Sequence, residues 1–486
     1  MLFITNIMQT KMKTIFTVII LILSLNLNAQ NCKCENELKF VIDYYEENLP
    51  GFIDNVNSKN LNSYNKFKTD LLSQTKLYCD KETDCFKILL RYVEFFKDNH
   101  SSIYQKSTLI IDESKKEEVE KFLNSSIFKE REIINLKKIP KNKSEKIENI
   151  YVADDGVYKV AVVKSKNVNR DYVGVIIDSK TPLWTKGQVK FELKKVGRNT
   201  YDMLLYMRNH SLKYYKNVKL KDGILNDNWF NITLNNQKSY NLISERNLIF
   251  KEIDNETNYM YIPTFSGDWY AKILDFYKKN DSIIQSKPYL IIDVRNNGGG
   301  SDACVYPLLT YLYTKPFYGD NVDVYSTKEN IRKSIEWYEQ NKNDTINFDK
   351  KFFKEILDEI ESMKSVPNKT FITRSKGEQI KLDTIVKKPS KIAIITNKYC
   401  ASSCETLLFW AKESDKTIIV GENSGGYVGY GEISEVNTPN FNFILGCTMT
   451  RYHKQREFEV IGISPKYYLT NEKDWIEQAI ELLKKE

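Results

Sequence analysis

Several patterns that define large protein classes are missing from this sequence. The 72 lysines and arginines exceed the 64 acidic residues by 8, but they form no basic run typical of a nucleic-acid-binding surface. The apolar run 15–23 is too short and too close to the N-terminus to predict a membrane-spanning helix. Internal repeats and low-complexity linkers are also absent. No nucleic-acid partner is therefore expected, and the length of 486 residues predicts two or three domains.

The N-terminus has the pattern of a secretory signal peptide. Lys11 and Lys13 precede the apolar run, and Ala29 supplies a small residue at the cleavage position. We predict that residues 1–29 are a signal peptide and that the mature protein is periplasmic or extracellular. Contact with the membrane is then limited to this transient segment. Cys32 lacks the small residues expected immediately before a lipidated cysteine, so lipidation is not expected.

Eight cysteines fit an oxidising compartment. Four of them lie near the N-terminus: Cys32, Cys34, Cys79 and Cys85. No histidine lies close to them, so two disulfides with three possible pairings are favoured over a metal site. Cys400 and Cys404 can bridge to each other, to Cys304 or to Cys447, and the sequence does not choose.

The remaining sequence divides into three segments by its hydrophobic pattern. Residues 30–106 show helical spacing of apolar residues up to about position 104, which predicts a disulfide-stapled helical domain. Residues 107–247 contain short alternating and apolar runs typical of a β-rich module. Residues 248–486 alternate strands and helices, which indicates a layered α/β catalytic core with a helical insertion around 328–363. The core strands are predicted at 289–293, 391–396 and 417–422, and a last helix at 475–483.

Ser402 lies between a predicted strand and a predicted helix, in the segment Tyr-Cys-Ala-Ser-Ser-Cys-Glu. A strand, a tight turn of small residues and a helix can present a nucleophilic hydroxyl to a substrate carbonyl. The start of the helix also offers backbone N–H groups to a developing oxyanion. On its own, the same pattern is more often a simple turn and helix cap. Other parts of the chain must decide between the two interpretations.

A glycine-rich turn is the second pattern. A predicted strand ends at Asp293 and is followed by Arg295 and three consecutive glycines. Glycines permit a sharp turn and a close approach of N–H groups to a ligand, and the segment lacks the Gly-Lys-Ser/Thr of a phosphate loop. We interpret it as one side of an oxyanion hole, with the N–H groups of Gly299 and Ser403 facing the carbonyl that Ser402 attacks. The alternative is a structural turn supported by the Asp293–Arg295 pair.

A serine nucleophile needs a base that is neutral near pH 7, and the chain has three histidines. His100 lies where a helical region ends, beside Ser101, a small polar residue able to orient an imidazole. His210 lies in the β-rich module and is expected at the surface. His453 is flanked by basic residues that oppose its protonation. His100 is therefore the candidate base.

These segments together resemble the tail-specific, or C-terminal processing, serine peptidases. Residues 293–300, Asp-Val-Arg-Asn-Asn-Gly-Gly-Gly, are similar to the family's Asp-x-Arg-x-Asn-x-Gly-Gly motif, and residues 402–405 are similar to its Ser-Ala-x-Glu nucleophile motif. The segments 421–426 and 459–465 follow as they do in the family. The resemblance covers the predicted α/β core and the region of His100.

The family has two catalytic arrangements, and the sequence discriminates between them. A Ser–Lys dyad needs a lysine in a Gly-Lys-Gly context downstream of the serine, but residues 425–427 read Gly-Gly-Tyr and no lysine occurs from 417 to 453. The sequence therefore resembles the tricorn-core-like branch, which has an upstream histidine base and a glutamate near the C-terminus. His100 and Glu459 occupy those places.

Three features depart from the family pattern. Asn99 precedes the histidine where the tricorn-like site has a serine, and Lys466 stands where the family usually has aspartate. No PDZ-like module is recognisable, so the β-rich segment is expected to replace it.

The resemblance implies an exported serine endopeptidase that hydrolyses a polypeptide substrate, expected to be unstructured, without a metal or organic cofactor. Ser402 attacks the carbonyl, His100 transfers the proton and Glu459 orients the polar network around the imidazole. Asp293 and Arg295 then support the glycine turn. An esterase-type acyl hydrolase, a non-catalytic peptide- or ligand-binding homologue and a structural cell-envelope protein are the competing interpretations.

Overall fold

A computed structural model describes residues 32–106, 109–138, 140, 146–167, 169–232, 247–346, 348–441 and 443–486. The predicted signal peptide lies outside these residues. The helices are α1 Lys33–Asn48, α2 Pro50–Asn55, α3 Leu61–Thr75, α4 Glu82–Glu94, α5 Lys116–Leu123, α6 Ser126–Lys129, α7 Tyr270–Ile284, α8 Tyr306–Leu312, α9 Lys328–Asn341, α10 Lys350–Lys364, α11 Ser403–Glu413 and α12 Trp475–Leu483. Within the described residues, none of them is long and apolar enough to cross a membrane.

The strands form two sheets, a short β-pair and a closed eight-stranded barrel, so the fold is mixed α/β. They are β1 Ser102–Gln105, β2 Ile150–Ala153, β3 Tyr158–Lys164, β4 Tyr172–Ser179, β5 Val189–Gly197, β6 Thr200–Tyr206, β7 Leu212–Lys221, β8 Ile224–Leu225, β9 Trp229–Asn231, β10 Ile249–Glu252, β11 Thr257–Tyr261, β12 Tyr289–Asp293, β13 Phe317–Tyr318, β14 Asn321–Ser326, β15 Thr370–Lys376, β16 Gln379–Ile380, β17 Lys391–Thr396, β18 Thr417–Gly421, β19 Tyr430–Asn437, β20 Phe443–Tyr452 and β21 Tyr467–Tyr468.

The N-terminal helices pack around apolar residues at helical spacing. Leu38, Val41 and Tyr45 of α1 are fully buried, because positions three and four apart share one face of the helix. Two disulfides close this region, Cys32–Cys79 and Cys34–Cys85. The prediction of two N-terminal disulfides is confirmed, and the structure selects one of the three possible pairings.

Strand β1 corrects the predicted end of the helical region. Residues up to about 104 were expected to be helical, but Ser102 begins a strand that pairs antiparallel with β20, Ser102 opposite Gly446. The prediction is wrong here because the pairing partner lies more than three hundred residues away in sequence. Local periodicity does not report such a contact.

Strands β2 to β9 close the barrel in the segment predicted to be β-rich. His210 lies between β6 and β7 at φ 66° and is only 1% exposed, so the expectation that it is a surface residue is wrong. Its ring packs on that of Trp184 at 3.9 Å between centroids. Burial, and then the nearby charge of Arg131, lower the pKa of His210 to about 3. A neutral imidazole behaves here as a buried aromatic ring.

The six-stranded sheet has the order β10-β11-β12-β17-β18-β21 and is parallel except for the first pair. The predicted core strands and the predicted last helix are confirmed. Asp293 pairs with Ile395, so β12 and β17 end at the same edge of the sheet. The glycine turn and the turn of Ser402 therefore meet there.

The second sheet, β1-β20-β14-β15 with β19 beside β20, carries the two helices of the predicted insertion. An ion network ties it to the N-terminal helices. Asp54 of α2 accepts hydrogen bonds from Arg451 at 2.6 Å and from Arg456 at 2.5 Å. Arg451 also contacts Asp323 of β14 at 3.0 Å. These pairs hold the region before His100 against the sheet.

Replacing Cys34 and Cys85 by serine is expected to lower the free energy of unfolding by about 4 kcal/mol, because the bridge joins residues 51 positions apart in the unfolded chain. Equilibrium urea unfolding followed by circular dichroism measures the change. Reductant should destabilise the unsubstituted protein at least as much, since it also opens the other disulfides. An unchanged unfolding midpoint in the double variant would show that the bridge does not stabilise this region.

Candidate active site

Ser402 occupies a strained turn between β17 and α11. Its φ is +57° and its ψ −125°, a backbone conformation that L-residues with side chains rarely adopt. The Ser402 N–H donates to Glu405 Oε2 at 3.1 Å, which fixes the peptide group preceding the strained residue. A strained serine between a strand and a helix is the geometry that presents a nucleophilic hydroxyl.

A disulfide encloses this serine. Cys400 and Cys404 are bonded to each other, while Cys304 and Cys447 are free and buried. The pairing left open by the sequence is thereby settled. The bridge restricts the backbone on both sides of Ser402.

Glu405 organises the loop that covers the start of α11. Its carboxylate is fully buried and accepts hydrogen bonds at Oε1 from Ser424 Oγ and Gly426 N, at 2.5 and 2.8 Å. Oε2 accepts from Tyr427 N at 2.8 Å in addition to Ser402 N. Burial raises the pKa of Glu405, and these donors oppose that rise. One side chain thus links the turn of Ser402 to the loop 424–427.

The glycine turn after β12 begins at a buried ion pair. Arg295 Nε and Nη2 donate to the two oxygens of Asp293, at 2.9 and 2.5 Å. Tyr259 Oη donates to the same carboxylate at 3.0 Å. Asp293 is fully buried and Arg295 is 2% exposed, so the pair fixes the first residues of the turn.

Gly299 lies directly against Ser402. It has φ +86°, and a Cβ atom there would lie 2.4 Å from the carbonyl oxygen of Ala401 and 2.8 Å from Ser402 Cβ, so only glycine fits. Its N–H donates to Asn297 Oδ1 at 2.9 Å. The N–H of Ser403, at the first position of α11, donates no hydrogen bond to any of the described residues.

His100 lies in the short segment between α4 and β1. The buried carboxylate of Asp98 holds this segment: it accepts from the backbone N–H groups of His100 and Ser101, both at 3.0 Å, and from Ser101 Oγ at 2.7 Å. Thr448 Oγ1 of β20 donates to it at 2.7 Å. Ser101 therefore supports the turn through Asp98, as an element of the backbone that carries the imidazole.

The His100 ring is largely enclosed. It meets the ring of Tyr427 edge to face, with 5.4 Å between centroids, and within the described residues its Nδ1 atom is buried without a hydrogen-bond partner. Burial lowers the pKa of His100, against the opposing effects of the Asp98 carboxylate and the Tyr430 carbonyl. The imidazole is therefore neutral at pH 7 and able to accept a proton.

Glu459 binds the continuation of the loop that Glu405 organises, at residues 428 and 429. Oε1 accepts from the N–H of Asn99 at 2.7 Å, and Oε2 accepts from the N–H groups of Val428 and Gly429 at 2.8 and 2.6 Å. Burial, and then the charge of Asp98, raise the pKa of Glu459 to about 7. The carboxylate thus acts on the backbone beside His100.

The structure brings Ser402, Ser403 and Gly299 into one cluster and connects His100 and Glu459 to it through the loop 424–429. Tyr427 makes the link, since its N–H binds Glu405 and its ring contacts His100. No hydrogen bond joins the His100 ring to Ser402 in the part of the chain that the structure describes.

Asp98 and Asn297 have no recognisable role in the sequence pattern, and Glu405 stands out in the sequence only as part of a motif. The signal for Glu405 was present, because an acid three residues after a serine at a helix start is the pattern of a capping box. Asp98 and Asn297 act through tertiary contacts that a local pattern does not reveal. Among the described residues, no group of three His, Cys, Asp or Glu side chains is arranged to hold a metal ion.

The substitution Glu405→Gln is expected to lower the free energy of unfolding by about 2–4 kcal/mol, because its amide group would face N–H donors that now share two carboxylate oxygens. Urea unfolding measures the loss. Glu413→Gln, an exposed change at the other end of α11, is the matched control and should have little effect. Equal stabilities of the two variants would contradict the organising role of Glu405.

Residues 256–469 match the family described as "Peptidase family S41". A curated relative from Chlamydia trachomatis serovar D (strain ATCC VR-885 / DSM 19411 / UW-3/Cx), named only "Protein", is 24% identical over 221 residues, which are 40% of this chain and 35% of the relative. The chain therefore spans about a third of the length of that relative.

Solved structures of low similarity cover most of the chain. Mature CPAF aligns with a TM-score of 0.45 and 14% identity, covering 93% of this chain and 97% of the other. The photosystem II D1 C-terminal processing protease aligns with a TM-score of 0.36 and 11% identity, with the same coverage. The tricorn protease aligns with a TM-score of 0.36 and 12% identity, covering 93% of this chain and 37% of the other.

The matched segment contains the glycine turn, the turn of Ser402 and the loop 424–429. Ser402, Glu405 and Glu459 all lie inside the residues that match peptidase family S41.

Proposed function

We propose that this protein is an exported serine endopeptidase of the tail-specific type that uses a Ser–His rather than a Ser–Lys arrangement. The observation that carries the proposal is Ser402 at φ +57° at the start of α11, with Gly299 packed against it. The match of residues 256–469 to a peptidase family supports a polypeptide as the substrate. The described disulfides fit an oxidising compartment, in agreement with the predicted signal peptide.

In the proposed reaction, His100 accepts the proton of Ser402 Oγ as this oxygen attacks the peptide carbonyl carbon. The resulting imidazolium gives the proton to the leaving amine, the C–N bond breaks and an acyl-enzyme remains. A water molecule, deprotonated by His100, then releases the carboxylic acid and restores the serine. Every step balances with water as the second substrate.

Two backbone donors would stabilise the oxyanion. The Ser403 N–H is available at the N-terminus of α11, where the helix dipole also favours negative charge. For Gly299 to contribute, its N–H has to leave or share the amide oxygen of Asn297. Loss of one oxyanion donor typically costs about 3–4 kcal/mol of transition-state stabilisation.

His100 and Glu459 have different roles in this proposal. His100 is half-buried and neutral, and its buried Nδ1 has no hydrogen-bond partner among the described residues, which are the properties of a base held ready for a proton. Contact with Ser402 is expected to form when substrate is bound, because catalytic hydrogen bonds often tighten only in the complex. Glu459 is a positioning residue that holds the backbone of Asn99.

The finer division of the chain is also proposed. The N-terminal helices with the His100 segment, the barrel, and the α/β part are taken as three domains with boundaries near 106 and 247. The two faces of the six-stranded sheet pack into separate apolar clusters, with Leu290 and Ile394 on one face and Ile291 and Ile395 on the other. This alternation supports a layered core.

Ser402→Ala is expected to abolish labelling by a fluorophosphonate probe and to lower kcat/KM for peptides by about 10⁴-fold or more, since it removes the attacking oxygen. His100→Ala should lower it to a similar extent. Labelling is read by gel fluorescence, and a panel of peptide and ester substrates separates a peptidase from an esterase.

Ser414→Ala, at the other end of α11, is the matched control and should leave labelling unchanged. Equal labelling of Ser402→Ala and the unsubstituted protein would remove the serine from the mechanism. Hydrolysis of esters with no cleavage of any peptide would favour an acyl hydrolase.

Activity is expected to fall as the pH falls through about 7, because both oxygens of Glu459 accept backbone N–H groups and a proton on either would displace a donor. A second decline in activity is expected below pH 6.5, where His100, with its lowered pKa, becomes protonated. In Glu459→Gln the first decline should disappear while the second remains. Profiles of kcat/KM against pH measure both, and a first decline retained in Glu459→Gln would exclude Glu459 as its source.

A further inference from the structure

A groove of about 1120 Å³ adjoins the candidate active site. Its walls come from α4, β1, β7 and the loops after β17 and β18. Asn99, Gly425 and Tyr427, which surround the His100 segment, line one end of it. The barrel strand β7 lines a long side, so the groove runs between the barrel and the candidate site.

Strand β1 offers a free edge along this groove. It is the terminal strand of its sheet and pairs on one side with β20. It begins two residues after His100, and Ser102 to Gln105 all line the groove. A peptide hydrogen-bonded to the free edge of β1 would therefore lead directly to the imidazole. Addition of a strand to a sheet edge is a common mode of peptide binding.

The opposite wall has an edge of its own. Strand β7 pairs with β6 on one side, whereas its other side joins β8 only at Leu220 and Lys221. Its earlier residues face the groove. The two strands contact each other at one end, where the Leu212 N–H donates to Gln105 Oε1 at 2.9 Å, so an extended chain would lie between them only beyond this contact.

The groove is positively charged. Five lysines line it: Lys213, Lys216, Lys219, Lys221 and Lys398. The carboxylates that line it are Glu94 and Glu422. Lys216 and Lys221 pair with these two, at 3.8 and 3.2 Å, and Lys398 pairs with Asp227 at 3.0 Å, while Lys213 and Lys219 form no ion pair within the described residues. The excess charge favours an acidic ligand.

An apolar patch completes the groove on the side of the catalytic sheet. Val460, Ile461 and Tyr468 line it and are 42%, 65% and 64% exposed. Val460 has φ +70°, a costly conformation for a β-branched residue, and its N–H is held by Gly426 O at 2.9 Å. Exposed apolar side chains on a strained loop beside an active site are typical of a binding surface.

We propose that this groove binds the substrate as an extended, acidic polypeptide segment. The segment pairs with the free edge of β1, its carboxylates face the lysines of β7, and an apolar side chain packs on Val460 and Ile461. The proposal rests on the proposed function, because it names the class of substrate that the same site would cleave. The two proposals concern different surfaces, however, because the peptide would be bound by β1 and the barrel, whereas the bond would be cleaved at Ser402.

The test separates binding from catalysis by using the full chain with Ser402→Ala. Fluorescein-labelled twelve-residue peptides of equal apolar content, one acidic and one basic, are titrated by fluorescence anisotropy at low and high salt. The acidic peptide is expected to bind about tenfold tighter or more, and salt should weaken it. Methylation of alternate backbone nitrogens along the acidic peptide should abolish binding, because it removes the donors for β1.

The double reversal Lys213→Glu/Lys219→Glu is expected to weaken acidic-peptide binding by about tenfold or more and to reverse the preference. Lys164→Glu/Lys195→Glu, an equal change of charge at exposed positions on other barrel strands, is the matched control and should change affinity by less than about twofold. Circular dichroism verifies that both variants fold.

Equal affinity for the two peptides, or equal losses in the two double variants, would overturn the groove proposal. Cleavage by the unsubstituted protein that ignores peptide charge would overturn it while leaving the peptidase function intact. Tight acidic-peptide binding without cleavage of any peptide would instead support the groove and refute the peptidase function.

Discussion

Two buried carboxylates fix the geometry on which the candidate site depends. Both carboxylates bind the loop 424–429. Glu405 accepts hydrogen bonds from the N–H groups of Gly426 and Tyr427, and Glu459 accepts them from those of Val428 and Gly429. A buried carboxylate loses its hydration, and hydrogen-bond donors offset that cost, so these contacts stabilise the folded chain. Glu405 also binds Ser402 and Glu459 also binds Asn99. The loop therefore sets how the serine and the histidine segments stand relative to each other.

The parallel sheet supplies the second constraint. Because β12 and β17 run side by side and end together, the glycine turn and the serine turn occupy the same edge. Their backbones are so close that Gly299 cannot be replaced by a residue with a side chain, and Ala401 donates its N–H to Asn297 O at 3.1 Å. The disulfide between Cys400 and Cys404 then limits how far the serine turn can move. Strain at Ser402 persists because its surroundings leave it no alternative conformation.

The sequence predicts those elements whose signals are local. Strands such as 289–293 are continuous apolar runs bounded by turn residues, and α12 has a strong apolar face, so both were predicted with correct bounds. The features that it missed depend on distant partners. Strand β1 exists through its pairing with β20, and His210 is buried because aromatic rings from other segments enclose it. At the site, sequence order indicated Ser402 and the glycine turn, whereas the hydrogen-bond partners of Asp98 and Asn297 depend on the fold.

The same constraints explain why binding and chemistry would lie on different parts of the molecule. The carboxylates around the site, Asp98, Glu405 and Glu459, are buried and their oxygens are occupied by donors from the backbone and hydroxyl groups. Substituting any of them would disturb either the loop 424–429 or the backbone of the His100 segment. The lysines of β7 do not hold the loop, because they stand on the barrel, contact solvent and act over about 10 Å through electrostatic attraction. In the proposed groove, the charges on the barrel strand can therefore change while the strained serine, its glycine neighbour and the carboxylates of Glu405 and Glu459 stay as they are.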